Sequence, residues 1–159
     1  MLQLQAAEGW VELGRPAEAV LELEAIHSEE RELPPVLEMF WHVYAHWKKW
    51  QPAYEVATRL VDQFPELPAG WVDRSFALRR LEGGGLQAAH DALLPAVKRF
   101  PFEPVIPYNL ACYCAQMEQI TEAREWLEQA MVIGDRKALL KMANQDPDLE
   151  SLKALGYLK

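Results

Sequence analysis

The fold is decided by a segment that occurs four times and whose last copy reads Glu118-Gln119-Ile120-Thr121-Glu122-Ala123-Arg124. The earlier copies are Gly14-Arg15-Pro16-Ala17-Glu18-Ala19-Val20, Lys48-Lys49-Trp50-Gln51-Pro52-Ala53-Tyr54 and Gly84-Gly85-Leu86-Gln87-Ala88-Ala89-His90. Each has an alanine at the same place, and these alanines lie 34, 36 and 34 residues apart. Such a period is typical of an array of similar helical units.

Apolar residues recur at helical spacing on both sides of these segments, and strict alternation is absent. Proline and glycine residues separate the apolar runs. Pro95 lies inside a predicted helix and should kink it or remove a backbone hydrogen bond. The pattern predicts about ten helices, near residues 2–13, 16–29, 35–48, 51–63, 69–81, 86–99, 105–117, 120–133, 136–144 and 148–155.

The period and the small residues resemble the tetratricopeptide repeat family, whose unit is a pair of antiparallel helices. The fourth unit matches the family pattern best, through Leu110, Ala111, Ala123, Leu127 and Ala130. The resemblance implies an all-α, right-handed α-α superhelix of four helix-turn-helix repeats with C-terminal capping helices. The expected organisation is one domain over residues 1–159, with repeats at about 1–33, 34–67, 68–103 and 104–136 and a cap at 137–159.

Trp41 departs from the family pattern, because the family keeps a small residue at that position. Either its helix pair is splayed or the first helix of the pair is rotated. The sequence therefore leaves open which side of the helix at residues 35–48 faces its partner helix. The chain also has six tryptophans. Five of them lie at or beside packing positions and are predicted to fill interhelical core: Trp10, Trp47, Trp50, Trp71 and Trp126.

The net charge of −8 and the pI of about 5.0 argue against a general nucleic-acid binder. No apolar run approaches the length of a membrane span, and the first residues lack the pattern of a signal peptide. Cys112 and Cys114 are two residues apart on a predicted helix and point in different directions, so they should not bridge each other. We expect reduced thiols and a cytoplasmic protein.

No catalytic motif is present, and Gly83-Gly84-Gly85 lacks the following residues of a phosphate-binding loop. The best metal candidate is Glu38, His42 and His46, which share one helical stripe and could chelate zinc. The favoured alternative is that these are solvated surface residues. We therefore expect no enzyme activity, no cofactor and no metal site, with a metal-dependent enzyme as a remote alternative.

Members of the resembled family bind peptides or helices on the concave face formed by the first helix of every unit. The resemblance thus implies a noncatalytic scaffold whose partner is a protein segment, expected to be neutral or basic because the chain is acidic. A chaperone for a secreted or assembly partner is the alternative, with a homodimer formed through the N-terminal helix. The implied groove residues are Glu38, Met39, His42, His46, Val72, Asp73, Phe76, Arg79, Arg80, Tyr108, Asn109, Cys112 and Gln116.

Overall fold

The computed structural model describes residues 2–159; Met1, where the first predicted repeat begins, lies outside them. The described residues form α-helices and two 3₁₀ turns (Glu30–Glu32 and Pro147–Leu149), with no strand among them. None of the helices within residues 2–159 is long and apolar enough to cross a membrane. The α-helices are α1 (Leu2–Glu12), α2 (Pro16–Glu24), α3 (Pro34–His46), α4 (Trp50–Gln63), α5 (Pro68–Leu78), α6 (Leu86–Leu93), α7 (Ala96–Arg99), α8 (Val105–Gln116), α9 (Ile120–Ile133), α10 (Arg136–Ala143) and α11 (Glu150–Ala154).

The helices group into two compact units, which divide between Leu81 and Glu82. The first contains α1 to α5 and the second contains α6 to α11. This division falls inside the predicted third repeat, residues 68–103. The assignment of residues 1–159 to one domain stays a prediction.

Buried alanines lie where consecutive helices pack. In the first unit α1 packs on α2 and α3 packs on α4, and in the second unit α8 packs on α9. Ala19, Ala53 and Ala123, the period-marking residues of these pairs, are all completely buried. A side chain that ends at Cβ lets two helices approach closely, and larger apolar residues fill the space on either side. The spacing of alanines in the sequence therefore marks the hairpins.

Three of the helix-to-helix turns share one hydrogen-bond pattern. The second residue after the first helix adopts a left-handed conformation, and it is Gly14 (φ 68°), Lys48 (φ 58°) or Glu118 (φ 63°). The next residue's N–H then donates to a carbonyl five residues back, as from Lys49 to Tyr44 at 2.8 Å. This arrangement satisfies the last carbonyls of the helix and reverses the chain. Glycine adopts the conformation without strain, whereas lysine and glutamate do not.

The two largest departures from the predicted helix boundaries are at Pro95 and at Glu24. Pro95 divides the helix predicted at 86–99 into α6 and α7, because proline cannot donate the backbone hydrogen bond that a continuous helix needs. The predicted interruption is confirmed. The helix predicted at 16–29 ends earlier, at Glu24, where the bond from Ile26 N–H to the Leu23 carbonyl (3.2 Å) tightens the chain into a turn.

Trp41 is half-buried, unlike the small residues Ala7, Ser75 and Ala111 at the matching positions, which are completely buried. Its ring contacts Phe76 of α5 edge to face, with centroids 6.0 Å apart and an interplanar angle of 71°. Helix α3 still packs on α4 through Phe40 and Val43.

The left-handed turns generate a stability prediction. Replacing Lys48 or Glu118 by glycine should raise the free energy of unfolding by about 1 kcal/mol, because the left-handed conformation then carries no Cβ penalty. Gly14→Ala is the matched opposite change and should lower it by about 1 kcal/mol. Urea denaturation followed by circular dichroism measures all three. Destabilisation by Lys48→Gly and Glu118→Gly would contradict the assigned turn geometry.

Candidate functional site

The predicted groove residues of the first unit lie on α3 and on α5 with the turn that follows it. Glu38, His42 and His46 are exposed and occupy one side of α3. The remaining members of the set are half-buried: Met39, Val72, Asp73, Phe76, Arg79 and Arg80. We call these nine residues the α3/α5 set. It combines apolar, aromatic and charged side chains on neighbouring helices of one unit.

Phe76 is held in an aromatic cluster with Trp41 and Trp50. Its ring centroid lies 6.0 Å from that of each tryptophan. The Arg80 guanidinium lies 3.7 Å from the Phe76 centroid and 4.9 Å from that of Trp50, and its Nη1 donates to the Phe76 carbonyl at 2.8 Å. Cation–π contacts of this kind orient an arginine as well as stabilise it. Phe76 and Arg80 are therefore already positioned by their own neighbours.

The other tryptophans occupy more varied places than the sequence predicts. Trp126 packs against the core of the second unit, and Trp71 donates its Nε1 proton to the Pro65 carbonyl at 3.1 Å. Trp47, however, is 40% exposed at the end of α3, with Lys49 Nζ 5.2 Å from its ring centroid. The prediction of interhelical core is wrong for Trp47, because the chain reverses at Lys48 and leaves the indole at the surface.

Asp73, a member of the same set, has an unusual pKa. Its carboxyl is half-buried on α5, and Glu38 on α3 places a second negative charge near it. Burial first, and the charge of Glu38 second, raise the pKa of Asp73 from 3.8 to about 7. The pKa of this carboxyl therefore lies near neutral pH, and a nearby positive charge would lower it.

The cap of the second unit covers part of its predicted groove. Tyr108 and Cys112, on α8, are only 5% and 4% exposed. The Tyr108 hydroxyl donates to Asp146 Oδ2 at 2.8 Å, and Cys112 Sγ lies 3.7 Å from the same oxygen. Burial and the hydrogen bond to Asp146 raise the pKa of Tyr108 above its usual range. These two side chains serve an internal contact, so they do not offer a free surface.

The two remaining predicted residues of α8 also have partners within the chain. Asn109 is half-buried and donates to the Val105 carbonyl at 2.8 Å, one turn earlier in its helix. Gln116 is exposed and donates to the Asp148 carbonyl at 3.1 Å. The Asp146 carboxylate caps the 3₁₀ turn Pro147–Leu149 by accepting a hydrogen bond from the Asp148 N–H at 2.9 Å. Its second contact, with Tyr108, carries no signal in the sequence because the residues are 38 positions apart.

Metal-ligating side chains converge at a different place from the stripe that the sequence offers as a candidate. Among residues 2–159, the group whose ligand atoms all lie within 4.8 Å of one another is Cys112, Asp146 and Asp148. A thiol and two carboxylates are ligand types that zinc accepts. The Asp146 oxygens, however, already accept hydrogen bonds from Tyr108 and from the Asp148 N–H. The stripe of Glu38, His42 and His46 does not form such a group in the described part of the chain.

Comparison with known proteins finds matches among solved structures, whereas no protein-family model and no curated protein matches the sequence. A thermophilic TPR protein from Thermus thermophilus, TTC0263, aligns with a TM-score of 0.76 at 21% identity, over 98% of this chain and 82% of its own. The MamA RS-1 ArsTM double mutant aligns with a TM-score of 0.67 at 17% identity, over 99% and 90%. TPR-like repeats named for a kinesin light chain of Podosopora anserina align at 0.66 and 22% identity, over 97% and 85%.

These likenesses extend over almost the whole chain, at identities of 17–22%. They show that the chain has the tetratricopeptide-repeat fold, an all-helical α-α superhelix. The fold class that the resemblance implies is thereby confirmed. Fold alone does not define function.

Asp73 generates a prediction of pH-dependent stability. Its folded-state pKa is raised, so between about pH 4 and pH 7 the folded state binds more protons than the unfolded state, and stability falls as pH rises through this window. Asp73→Asn should therefore stabilise the protein at pH 8 by more than about 1.4 kcal/mol, the equivalent of one pKa unit. The gain should disappear near pH 4. Chemical denaturation at both pH values measures it, and an equal effect of Asp73→Asn at the two values would contradict it.

The contact between α8 and the cap generates a second prediction. Tyr108→Phe should lower the free energy of unfolding by about 1–2 kcal/mol, because a buried hydrogen bond to a carboxylate is lost. A double-mutant cycle with Asp146→Ala separates this bond from the capping role of Asp146. We expect a coupling energy above about 0.5 kcal/mol. Strictly additive effects of the two substitutions would show that the hydroxyl and the carboxylate do not interact.

Proposed function

We propose that this chain is a noncatalytic protein-interaction module that binds a peptide or helical segment of another protein on the α3/α5 set. The observation that carries the proposal is the composition of this set. Half-buried Met39, Val72 and Phe76 offer apolar contact, and exposed Glu38 and His42 lie beside them. Protein-binding surfaces combine an apolar centre with polar side chains at the rim in this way. The tetratricopeptide-repeat fold of the chain supports the same class of function.

The net charge of the chain, −8, favours a partner segment that is neutral or basic. The α3/α5 set itself holds two carboxyls, Glu38 and Asp73, and two arginines, Arg79 and Arg80. A lysine or arginine of the partner near Asp73 would lower the pKa of that carboxyl, so binding would release a proton at neutral pH. Affinity should then be higher at pH 8 than at pH 6, and it should fall with added salt. The absence of a catalytic motif is consistent with a cytoplasmic adaptor that needs no cofactor.

Affinity capture tests the proposal with two double variants of exposed residues. Glu38→Lys with His42→Ala alters the α3/α5 set, and Gln51→Ala with Glu55→Lys is the control on exposed positions of α4. Wild type and control should capture the same proteins, as identified by mass spectrometry. The amount of each protein captured by the first variant should be lower by at least about tenfold, equivalent to 1.4 kcal/mol of binding free energy. Identical capture by all three would contradict binding on this set. Capture unchanged between 50 and 500 mM salt would contradict the basic partner.

Exposed leucines favour the chaperone alternative, in which the protein dimerises through its N-terminal helix. Leu2 is 82% exposed in α1, and Leu13, directly after it, is 70% exposed. Burying both side chains in an interface between two copies would be favourable. Leu2→Glu with Leu13→Glu should convert the dimer into a monomer, as measured by light scattering. A strictly monomeric wild type at 100 μM, a concentration chosen for the test, would contradict this alternative.

A further inference from the structure

A cavity of about 460 Å³ lies in the second unit, away from the residues discussed so far. It is bordered by α9, α10, α11 and the residues after α11. Its apolar lining consists of Leu127, Met131, Leu140 and Leu152. Leu152 is completely buried, and Leu127 and Met131 are only 4% and 7% exposed. A space of this size can accept one or two large apolar side chains.

The lengths of the helices explain why this space is open. In this unit α10 and α11 follow α9 in the positions of the first and second helix of a further hairpin. Both of them contact α9. The second helices α4 and α9 each have 14 residues, whereas α11 has five. At 1.5 Å per residue a helix of that full length spans about 21 Å, and α11 spans about 7.5 Å. Part of the α9 surface that a full second helix would cover therefore borders the cavity instead.

The rim of the cavity carries positive charge in an otherwise acidic chain. Arg124 lies with its guanidinium 3.9 Å from the centroid of the Tyr157 ring, which orients it at the edge. Arg136 is paired with Glu128 through two hydrogen bonds of 2.7 and 3.2 Å, and this pair holds the pKa of Glu128 below its usual range. Lys159 also lines the cavity. With the Arg136–Glu128 charges compensated, two cations, Arg124 and Lys159, remain against the one carboxylate of Glu125.

We propose that this cavity is a second docking site, which accepts an amphipathic helix of a partner protein with an acidic flank. An apolar side chain of that helix packs in the cavity over Leu140 and the edge of Met131. Glutamate or aspartate residues beside it face Arg124 and Lys159. The incoming helix occupies the place that the short α11 leaves uncovered on α9. The cavity lies on other helices than the α3/α5 set, so the two sites can bind different partner segments.

A designed peptide tests the site directly. The probe is a fluorescein-labelled 14-residue helical peptide with leucines on one face and glutamates on either side of them, and the control peptide has lysine at each glutamate. In fluorescence anisotropy at 50 mM salt, the glutamate peptide should bind at least tenfold more tightly than the lysine peptide. Equal affinities, or no binding of the glutamate peptide, would overturn the proposal.

Charge variants locate the binding on the protein. Arg124→Glu should lower the affinity for the glutamate peptide by at least tenfold, and Glu125→Lys should raise that affinity. Arg99→Glu is the matched control, because Arg99 is exposed on α7 in the same unit and does not line the cavity; it should change affinity less than twofold. Thermal melts confirm that each variant is folded. Equal losses in Arg124→Glu and Arg99→Glu would overturn the site.

The two proposed sites can fail independently. Glu38→Lys with His42→Ala alters the α3/α5 set in the first unit and should leave the affinity for the glutamate peptide unchanged. If that variant changes the affinity for the glutamate peptide while Arg124→Glu does not, the peptide binds at the α3/α5 set and the cavity proposal is overturned. Loss in Arg124→Glu alone supports the cavity whatever the affinity capture on the α3/α5 set finds.

Discussion

The close packing of two helices at a buried alanine is the contact on which the rest of this structure depends. Ala19, Ala53 and Ala123 are fully buried in the second helices of three hairpins. A larger side chain at any of these positions would separate the helices and expose the apolar residues beside them. The left-handed turns at Gly14, Lys48 and Glu118 complement this packing, because they return the chain at the same point of each hairpin. Packing and turn geometry together produce the period of the sequence.

Each unit closes its apolar surface in a different way, and this determines which side chains are free to bind. In the first unit, Trp41 and Trp50 hold Phe76 and leave Glu38 and His42 exposed beside it. In the second unit, the loop at Asp146 buries Tyr108, which the repeat pattern alone would assign to a binding face. The same repeat position is thus available in one unit and used internally in the other. Which side chains are available for binding therefore depends on the elements that pack against each helix, and not on the repeat position alone.

Much of the fold could be predicted from the sequence because its signals are local. Helix positions follow from apolar spacing, and the break at Pro95 follows from the missing N–H of proline. The early end of the helix at Glu24 was not predictable in the same way, because no proline or glycine marks it. The surface position of Trp47 was also missed, since it results from the chain reversal at Lys48, a residue type that rarely adopts a left-handed conformation.

The sequence by itself determined the helical repeat, the hairpin positions and the acidic character of the chain, because these depend on spacing and composition. Only the tertiary structure decided the contact of Trp41 with Phe76, the raised pKa of Asp73, the contact of Tyr108 with Asp146 and the cavity rimmed by Arg124. Each of these depends on side chains from different helices meeting in space. Burial and distance set the strength of a charge or a hydrogen bond, and neither can be obtained from residue order within a single helix.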